Sequence, residues 1–270
     1  MREWIVTAPF DPITQAELQW IRTKRTQLNA DRIVVKPIGE GTASLAQRQA
    51  MVKRAVSPYR HLSASGSTAE TNLLVLPSEL LNEEQQVREG RYDRAARGIR
   101  TMLAECGIYF EESVNALCRP NRAAHSRSVA SVCRELAQAH HLDEEQAWKA
   151  GILHDITKAW SDEAGRALLE VYEPDKVSLS PKVYHSFTAP VFLKTVMGIQ
   201  DEAILHAIRT HTLGDGHTAL DKILYIADKI EPTRGYDTRK EMALAKQDLN
   251  AAFELVLKEA EEYRERRANG

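Results

Sequence analysis

Histidine and aspartate, two residue types that commonly bind metal, recur in a fixed order between residues 125 and 228 of this 270-residue chain. The series is His125, His154, Asp155, His185, His211 and Asp228. A carboxylate on an otherwise apolar helix costs free energy unless it is paired, hydrogen-bonded or bound to a metal. We therefore expect these residues to converge from separate helices of a bundle, where they offer enough imidazole and carboxylate for two metal ions.

Local signals place most of this series on helices. Asp143 followed by Gln146 resembles a capping box, Pro181 suits a first helical position, and Gly214 suits a helix end. The predicted helices span 143–156, 181–198, 201–214 and 221–230. The first carries His154 and Asp155, and the other three carry His185, His211 and Asp228 in that order.

The ligand set contains nitrogen and oxygen donors but no sulfur. Such a set suits iron, manganese, cobalt or zinc better than copper(I), and it does not decide among them. We expect one or two divalent or trivalent ions, with iron or manganese as the first candidates. Cys106, Cys118 and Cys133 form no C-x-x-C pair, so they predict neither a disulfide framework nor a thiolate zinc site. The remaining histidines lie outside the ordered series, and we interpret them as surface or satisfied core residues.

Charge and hydropathy narrow the range of partners. The chain has 36 lysines and arginines against 38 acidic residues, a balance that argues against a coat for nucleic acid or for an anionic membrane. The apolar stretch at residues 1–9 is too short for the apolar core of a signal peptide. No apolar run approaches the length of a membrane span. We expect a cytoplasmic protein whose anionic partners, if any, are small molecules.

The pattern of elements changes along the chain. Short strands at 4–7, 32–35 and 73–76 and a helix at 14–26 predict a small α/β region, and from about residue 113 onward the pattern is entirely helical. The length of 270 residues accommodates two domains. We therefore predict a multi-domain chain, with an α/β domain at 1–112 and an all-α helical bundle at 113–270.

Several short motifs between about residues 122 and 247 resemble the HD-domain superfamily, and more narrowly its branch of symmetrical diadenosine tetraphosphatases. They are Arg122-x-x-His125, Gly151 to Lys158 (GILHDITK), His211-Thr212-x-Gly214, Leu220 to Ile223 (LDKI) and Ala227 to Arg234 (ADKIEPTR). The resemblance implies a metal-holding helical bundle that cleaves a dinucleoside polyphosphate into two identical nucleoside diphosphates.

The expected chemistry needs no serine or cysteine nucleophile. A metal-bound water has its pKa lowered toward neutrality, and two ions about 4 Å apart can clamp both the attacking and the departing oxygen. We expect Asp155, Lys158 and Arg234 to take part in catalysis, because a polyphosphate needs cations beyond the metals. We expect substrate binding by a second set of side chains, namely Arg122, Thr157, Thr212 and Lys229.

Other functions stay open at this point. HD hydrolases also dephosphorylate nucleotides and cleave guanosine polyphosphate alarmones, and ligands on helices do not choose among these substrates. A non-catalytic nucleotide sensor would predict gaps in the ligand series, and the series has none. A homodimer is also left open.

The front of the chain resembles a second family. Phe10-Asp11-Pro12-Ile13 after a strand is similar to the first motif of nicotinate-nucleotide adenylyltransferases, which carry glycines before it and two histidines after it. Here Thr7 and Ala8 replace the glycines, and Thr14 and Glu17 replace the histidines. We interpret residues 1–112 as a shortened, degenerate, Rossmann-like nucleotidyltransferase domain that no longer transfers adenylate. It would bind substrate, mediate dimerisation or persist as a folded appendage.

Overall fold

The computed structural model describes residues 2–66 and 72–268. The chain divides into two compact units: a first unit of Met1–Ser113 with Thr195–Ile199, and a helical unit of Val114–Lys194 with Gln200–Gly270. The predicted domains, 1–112 and 113–270, stay predictions.

The first unit is built on a small parallel sheet, so the predicted α/β architecture is confirmed. Its strands are β1 Glu3–Ala8, β2 Arg32–Pro37, β3 Leu62–Ser63 and β4 Leu73–Val75, and its helices are α1 Gln15–Gln27, α2 Leu45–Val56, α3 Ser78–Arg88 and α4 Ile99–Cys106. The strand order is β3-β2-β1-β4. Strand β3 was not predicted, because two residues are too few to show an alternating pattern.

Helix α1 begins at a capping box formed by Thr14 and Glu17. Thr14 Oγ1 accepts a hydrogen bond from the main-chain nitrogen of Glu17 at 3.2 Å, and Glu17 Oε2 accepts one from the main-chain nitrogen of Thr14 at 2.7 Å. This reciprocal pair satisfies two backbone donors that a helix start leaves open. The buried faces of α1 and of β1 and β2 meet in a core that includes Val6, Ile21 and Ile33, all with no exposed area.

The helical unit contains only helices and turns among its described residues, as predicted. Helix α5 Phe110–Leu117 crosses the boundary between the units, and the helices that follow are α6 Pro120–Ala139, α7 Glu144–Leu153, α8 Asp162–Tyr172, α9 Tyr184–Phe192, α10 Glu202–Thr210, α11 Ala219–Ile230, α12 Arg239–Gln247 and α13 Leu249–Ala268. In residues 2–66 and 72–268, none of the helices has both the length and the apolar character of a membrane span.

Two predicted helix ends were wrong. Helix α7 ends at Leu153 and not at Ile156, and α10 ends at Thr210 and not at Gly214. In both cases the residue after the helix is a histidine whose ring hydrogen-bonds to the carbonyl oxygen three residues earlier. The side chain occupies an acceptor near the helix end, and after α7 the chain continues with i to i+3 hydrogen bonds, such as Ile156 to Leu153.

Helices α6 and α7 approach each other closely beside the predicted metal ligands. A Cβ atom added to Gly151 would lie 2.6 Å from the Cα atom and 2.9 Å from the nitrogen of Ala130. No side chain fits between the two backbones at this point. The approach brings His125 of α6 and His154, which follows α7, to the same side of the bundle.

Candidate metal centre

The six residues of the predicted series come together in the interior of the helical unit. Their side chains arise from α6, from the turn after α7, from α9, from the end of α10 and from α11. All six residues are buried, with exposed fractions between 0% and 7%: His125, His154, Asp155, His185, His211 and Asp228. Isolated charges are not tolerated at such burial, so each carboxylate needs a cationic or hydrogen-bonding partner.

His154 and His211 are held in the same way. Each is the C-cap residue of its helix, and each ring Nδ1 atom is hydrogen-bonded to a main-chain oxygen: Gly151 at 2.7 Å for His154, and Ile208 at 2.5 Å for His211. Because Nδ1 must carry the proton in these bonds, Nε2 is the free lone pair on both rings. The helix ends thus present two Nε2 atoms to one interior point.

Asp155 lies at the centre of the cluster. Its Oδ2 atom is 3.4 Å from Nε2 of His154 and 4.0 Å from Nε2 of His125. Its Oδ1 atom is 3.2 Å from Nε2 of His185 and 3.8 Å from Nε2 of His211. One carboxylate oxygen therefore faces each pair of histidines, the arrangement that a bridging carboxylate needs.

His125 and Asp228 complete one side of the cluster. His125 Nε2 is 3.0 Å from Asp228 Oδ1, and the same oxygen is 3.8 Å from His154 Nε2. On the other side of its ring, His125 Nδ1 lies 2.9 Å from Oε1 of Glu231. Glu231 has no exposed area, and a carboxylate in this position fixes the tautomer and orientation of a ligating histidine.

The donor atoms are close enough to share ions. Two groups have ligand atoms that all lie within 4.8 Å of one another, namely His125, His154 and Asp228, and His154, Asp155 and His211. Within the described residues, Nε2 of His154 is fully buried and has no hydrogen-bond partner. A buried acceptor without a donor is costly, and a cation at this point would remove that cost. The residues present therefore fit a metal ion.

Electrostatics favour the metal-binding forms of four of these donors. Burial, with the nearby His211 as the second cause, lowers the pKa of His185, and burial is also the largest cause of the lowered pKa of His211. Burial opposes ionisation of Asp155 and Asp228, but Lys229 for Asp228, and the surrounding histidines for both, outweigh it and hold the pKa of both carboxyls well below the usual value. Burial also opposes the charged form of His154, but the charges of Asp155 and Asp228 outweigh it and raise the pKa of that ring. Neutral imidazoles and ionised carboxylates are the ligating states, so a metal ion at His154 would take the place of a proton.

Four predicted cations surround the cluster. Arg122 lies 3.0 Å from Asp155 Oδ2, while Arg234 and Lys229 lie 2.8 Å and 2.6 Å from the two oxygens of Asp228. Lys158 lies on the other side, with Nζ 2.9 Å from Nδ1 of His185. All four therefore contact a member of the ligand series directly.

The two predicted threonines lie in different surroundings. Thr212 Oγ1 is 3.2 Å from Nε2 of His185 and 3.1 Å from Nε2 of His211, so it touches two ligand candidates. Thr157 Oγ1 pairs with Thr188 Oγ1 at 2.8 Å and is buried. Thr157 thus makes a packing hydrogen bond beside the centre. Their predicted roles in substrate binding stay predictions.

Glu231 is the residue of the centre to which sequence reasoning gave no role. It belongs to the run from Ala227 to Arg234 that carried the family resemblance, and it lies three residues after Asp228. That spacing was the available signal, because residues three apart share a helix face. An acidic residue at a helix end is usually solvated, so the pattern alone does not reveal its burial.

The motif of the first unit has a structural use. Asp11 accepts hydrogen bonds from the main-chain nitrogens of Thr42 and Ala43 at 2.7 Å and 3.1 Å and from the hydroxyl of Tyr109 at 2.5 Å. Thr14 and Glu17 are hydrogen-bonded to each other in the helix cap. All three side chains at the positions of the adenylyltransferase motif are therefore engaged in internal hydrogen bonds.

Comparisons with known proteins give several matches to this chain. The family model described as HD domain matches residues 122–233. The symmetrical bis(5'-nucleosyl)-tetraphosphatase of Bacillus subtilis (strain 168) is 35% identical over 137 residues, which cover 49% of this chain and 74% of the relative. A relative of the same description from Halalkalibacterium halodurans is 32% identical over 137 residues, covering 49% of this chain and 73% of the relative.

Two further similarities extend this result. A probable nicotinate-nucleotide adenylyltransferase/Ap4A hydrolase of Mycoplasma genitalium is 31% identical over 162 residues, or 56% of this chain and 45% of the relative. The chain thus spans less than half of that relative's length. The crystal structure of a "predicted HD superfamily hydrolase involved in NAD metabolism" from Clostridium acetobutylicum superposes with a TM-score of 0.55 at 28% identity, covering 59% of this chain and 87% of the other.

Proposed function

The chain belongs to the HD-domain family of phosphohydrolases, and we propose that it is a metal-dependent enzyme that hydrolyses diadenosine tetraphosphate symmetrically to two ADP. The single observation that carries the proposal is the position of Asp155, with one carboxylate oxygen toward His154 and the other toward His185. The descriptions of the Bacillus and Halalkalibacterium relatives as symmetrical bis(5'-nucleosyl)-tetraphosphatases support the choice of substrate.

Two ions would be held around Asp155. The first would take His125, His154, Asp155 and Asp228, and the second would take Asp155, His185 and His211. The nitrogen and oxygen donors suit iron or manganese. When bound, such ions supply Lewis acidity toward phosphate oxygens and lower the pKa of a water toward neutrality.

The cations around the centre supply the remaining charge. A tetraphosphate carries several negative oxygens, and charge-assisted hydrogen bonds to lysine and arginine are the usual way to hold them. Four cations are close enough for this task, since each contacts a member of the ligand series directly. They are Arg122, Lys158, Lys229 and Arg234. Of these, we assign Lys158 and Arg234 to the charge that develops during cleavage, and Arg122 and Lys229 to substrate binding.

The distribution of these cations favours cleavage in the middle of the polyphosphate. Lys158 contacts His185 in one half of the centre, whereas Lys229 and Arg234 contact Asp228 in the other half. A polyphosphate held from both sides would have its middle at Asp155. Attack by one water on a phosphorus at that middle would break the bond to the central bridging oxygen and leave two identical nucleoside diphosphates.

A positioning role follows from one contact of His125. Glu231 would hold the His125 ring so that Nε2 faces the centre. Such a neighbour raises the basicity of the ligand and narrows its orientation. Thr212 instead contacts Nε2 of both His185 and His211, the atoms that would bind metal, so we assign its hydroxyl to substrate binding.

The first unit would not transfer adenylate. That chemistry needs side chains free to meet ATP phosphates, and Glu17 is fully buried. Asp11, Thr14 and Glu17 are engaged in internal hydrogen bonds. Incubation with ATP and nicotinate mononucleotide should therefore release no diphosphate.

Product analysis tests the proposed reaction. The purified full chain is incubated with diadenosine tetraphosphate and either Mn²⁺ or Fe²⁺, and the products are separated by anion-exchange chromatography. We expect ADP as the only nucleotide product, and loss of turnover when a chelator removes the metal. AMP together with ATP, or no turnover with either metal, would contradict the proposal. Parallel incubations with nucleoside monophosphates and guanosine polyphosphates reveal any preference for another substrate.

A further inference from the structure

A cavity of about 300 Å³ adjoins the candidate metal centre within the helical unit. It shares His185 and Lys158 with the centre, and its walls include Trp160, Tyr184 and Asp162. Its volume is at the lower end of the range for small-molecule sites. The space therefore suits one nucleoside rather than a whole dinucleoside polyphosphate.

The charged groups of this cavity are of both signs. Lys158 marks the end that adjoins the metal centre, because its Nζ atom is 2.9 Å from His185 Nδ1 and donates to the main-chain oxygen of Lys182 at 3.1 Å. Asp162, in the first turn of α8, contributes an exposed carboxylate. A carboxylate repels phosphate but accepts hydrogen bonds from ribose hydroxyls and from base amino groups.

Trp160 supplies the apolar surface. Its ring packs edge to face on Phe192, with centroids 5.7 Å apart and an interplanar angle of 82°, and the residue is only half-buried. The contact with Phe192 anchors the indole ring, and Trp160 contributes to the cavity wall. Every nucleobase has a π face, so an anchored aromatic side chain is a stacking platform that accepts different bases.

We propose that this cavity binds one nucleoside of the nucleotide substrate, with the base on Trp160 and the first phosphates at Lys158. This inference rests on the proposed function, and it adds a nucleoside requirement that the metal centre alone does not impose. The cavity is formed by the turn after Asp155, the start of α8 and the segment that leads into α9. The same turn therefore carries a metal ligand and the base platform.

Binding measurements test this assignment without turnover. ADP and base-free inorganic diphosphate are titrated by calorimetry into the full chain supplied with Mn²⁺. Loss of one stacking interaction weakens binding by about tenfold or more. We expect Trp160→Leu to weaken ADP by about that factor and to leave diphosphate affinity unchanged. Trp148→Leu is the matched control. Trp148 is also half-buried, but its ring contacts Arg134 and it does not line the cavity.

A second variant covers the case in which Trp160→Leu does not fold. Tryptophan fluorescence should be quenched by ADP in the wild type and in Trp148→Phe, but not in Trp160→Phe, where the ring at 160 no longer reports. Unchanged ADP affinity in Trp160→Leu, equal loss for ADP and diphosphate, or quenching that survives in Trp160→Phe would each overturn the assignment.

The outcome is separable from that of the proposed reaction. Turnover of diadenosine tetraphosphate to ADP with Trp160-independent ADP binding would remove the nucleoside site and leave the proposed reaction standing. Trp160-dependent ADP binding without turnover would support the nucleoside site and remove the proposed reaction.

Discussion

Nδ1 of His125 and Oε1 of Glu231 lie 2.9 Å apart, although 106 residues separate them along the chain. The opposite nitrogen of the same ring faces Asp228 at 3.0 Å. A ring held between two carboxylates has little freedom to rotate. The pair therefore links the end of α11 to a candidate ligand on α6, and it explains why the centre extends beyond the six residues of the ordered series.

Removal of the Glu231 carboxylate should weaken metal binding without removing a ligand. Outer partners of ligating histidines are worth about 10–100-fold in metal affinity or activity. We expect Glu231→Ala to lower Mn²⁺ affinity in calorimetry by that factor, and Glu231→Gln to recover part of it because the amide oxygen still accepts from Nδ1. Glu173→Ala is the control, since Glu173 pairs with Arg209. Equal affinity in Glu231→Ala and the wild type would refute this role.

Ligand substitutions should separate the two halves of the centre. Asp155 faces both histidine pairs, whereas His185 faces only one oxygen of Asp155. We expect Asp155→Ala to lose both ions and His185→Ala to lose one, as measured by native mass spectrometry of Mn²⁺-loaded protein.

His154→Ala and Asp228→Ala should each abolish turnover and lower the amount of bound metal. Full activity in either of these two variants would count against the ligand assignment.

Lys158 should affect the substrate more than the metal. It is not a member of the ligand series, but its ammonium group lies beside His185. We expect Lys158→Ala to raise KM or slow turnover while the metal content, measured by mass spectrometry, stays at the wild-type value. Lys194→Ala, which removes a lysine paired with Glu202, should change neither quantity. Loss of metal from Lys158→Ala would show that the lysine maintains the centre itself.

The close approach of α6 and α7 at Gly151 should be sensitive to a single methyl group. A Cβ atom at this position would meet the backbone of Ala130, which is not a flexible side chain. Overpacking of this kind costs about 1–3 kcal/mol. We expect Gly151→Ala to lower the free energy of unfolding by that amount in denaturant titrations. Ala124→Val, at an exposed position of α6, should cost no more than its helix propensity, about 0.7 kcal/mol or less. Equal stability of the two variants would contradict the packing argument.

The first unit should lose stability as the pH rises. Burial, followed by the charge of nearby Glu84, raises the pKa of Glu17 well above its usual value. The resulting stability is complete below the unfolded-state pKa of about 4.3 and is lost as the pH rises through the folded-state value. Glu17→Gln keeps an acceptor for the Thr14 main-chain nitrogen and removes the titration, so it should flatten this dependence in calorimetric unfolding scans.

The exposed Glu79 on α3 provides the matched control for that experiment. Glu79→Gln should keep the wild-type dependence of the unfolding temperature on pH. An unchanged dependence in Glu17→Gln would show that Glu17 carries its charge at the same cost in the folded and unfolded chain.

Much of the centre could be predicted because its chemistry restricts residue types. Histidines and aspartates within apolar helices, such as Asp228 among Leu224, Ile226 and Ile230, have few stable alternatives to ligation or pairing. The strand at 32–35 was predictable for a similar reason, since Ile33, Val34 and Val35 form a continuous apolar run typical of a buried strand.

Other features depend on hydrogen bonds and packing contacts that the sequence pattern does not show. The early ends of α7 and α10 follow from the ring hydrogen bonds of His154 and His211, which compete with the helix for acceptors. The role of Glu231 depends on a partner from α6, and the close approach at Gly151 depends on Ala130. These relations join residues that local patterns treat separately.

Anomalous diffraction from crystals of the Mn²⁺-loaded protein shows whether Asp155 lies between two ions. We predict two anomalous peaks in contact with Asp155, one bounded by His125, His154 and Asp228 and the other by His185 and His211. Crystals without a peak in contact with Asp155 would contradict the account.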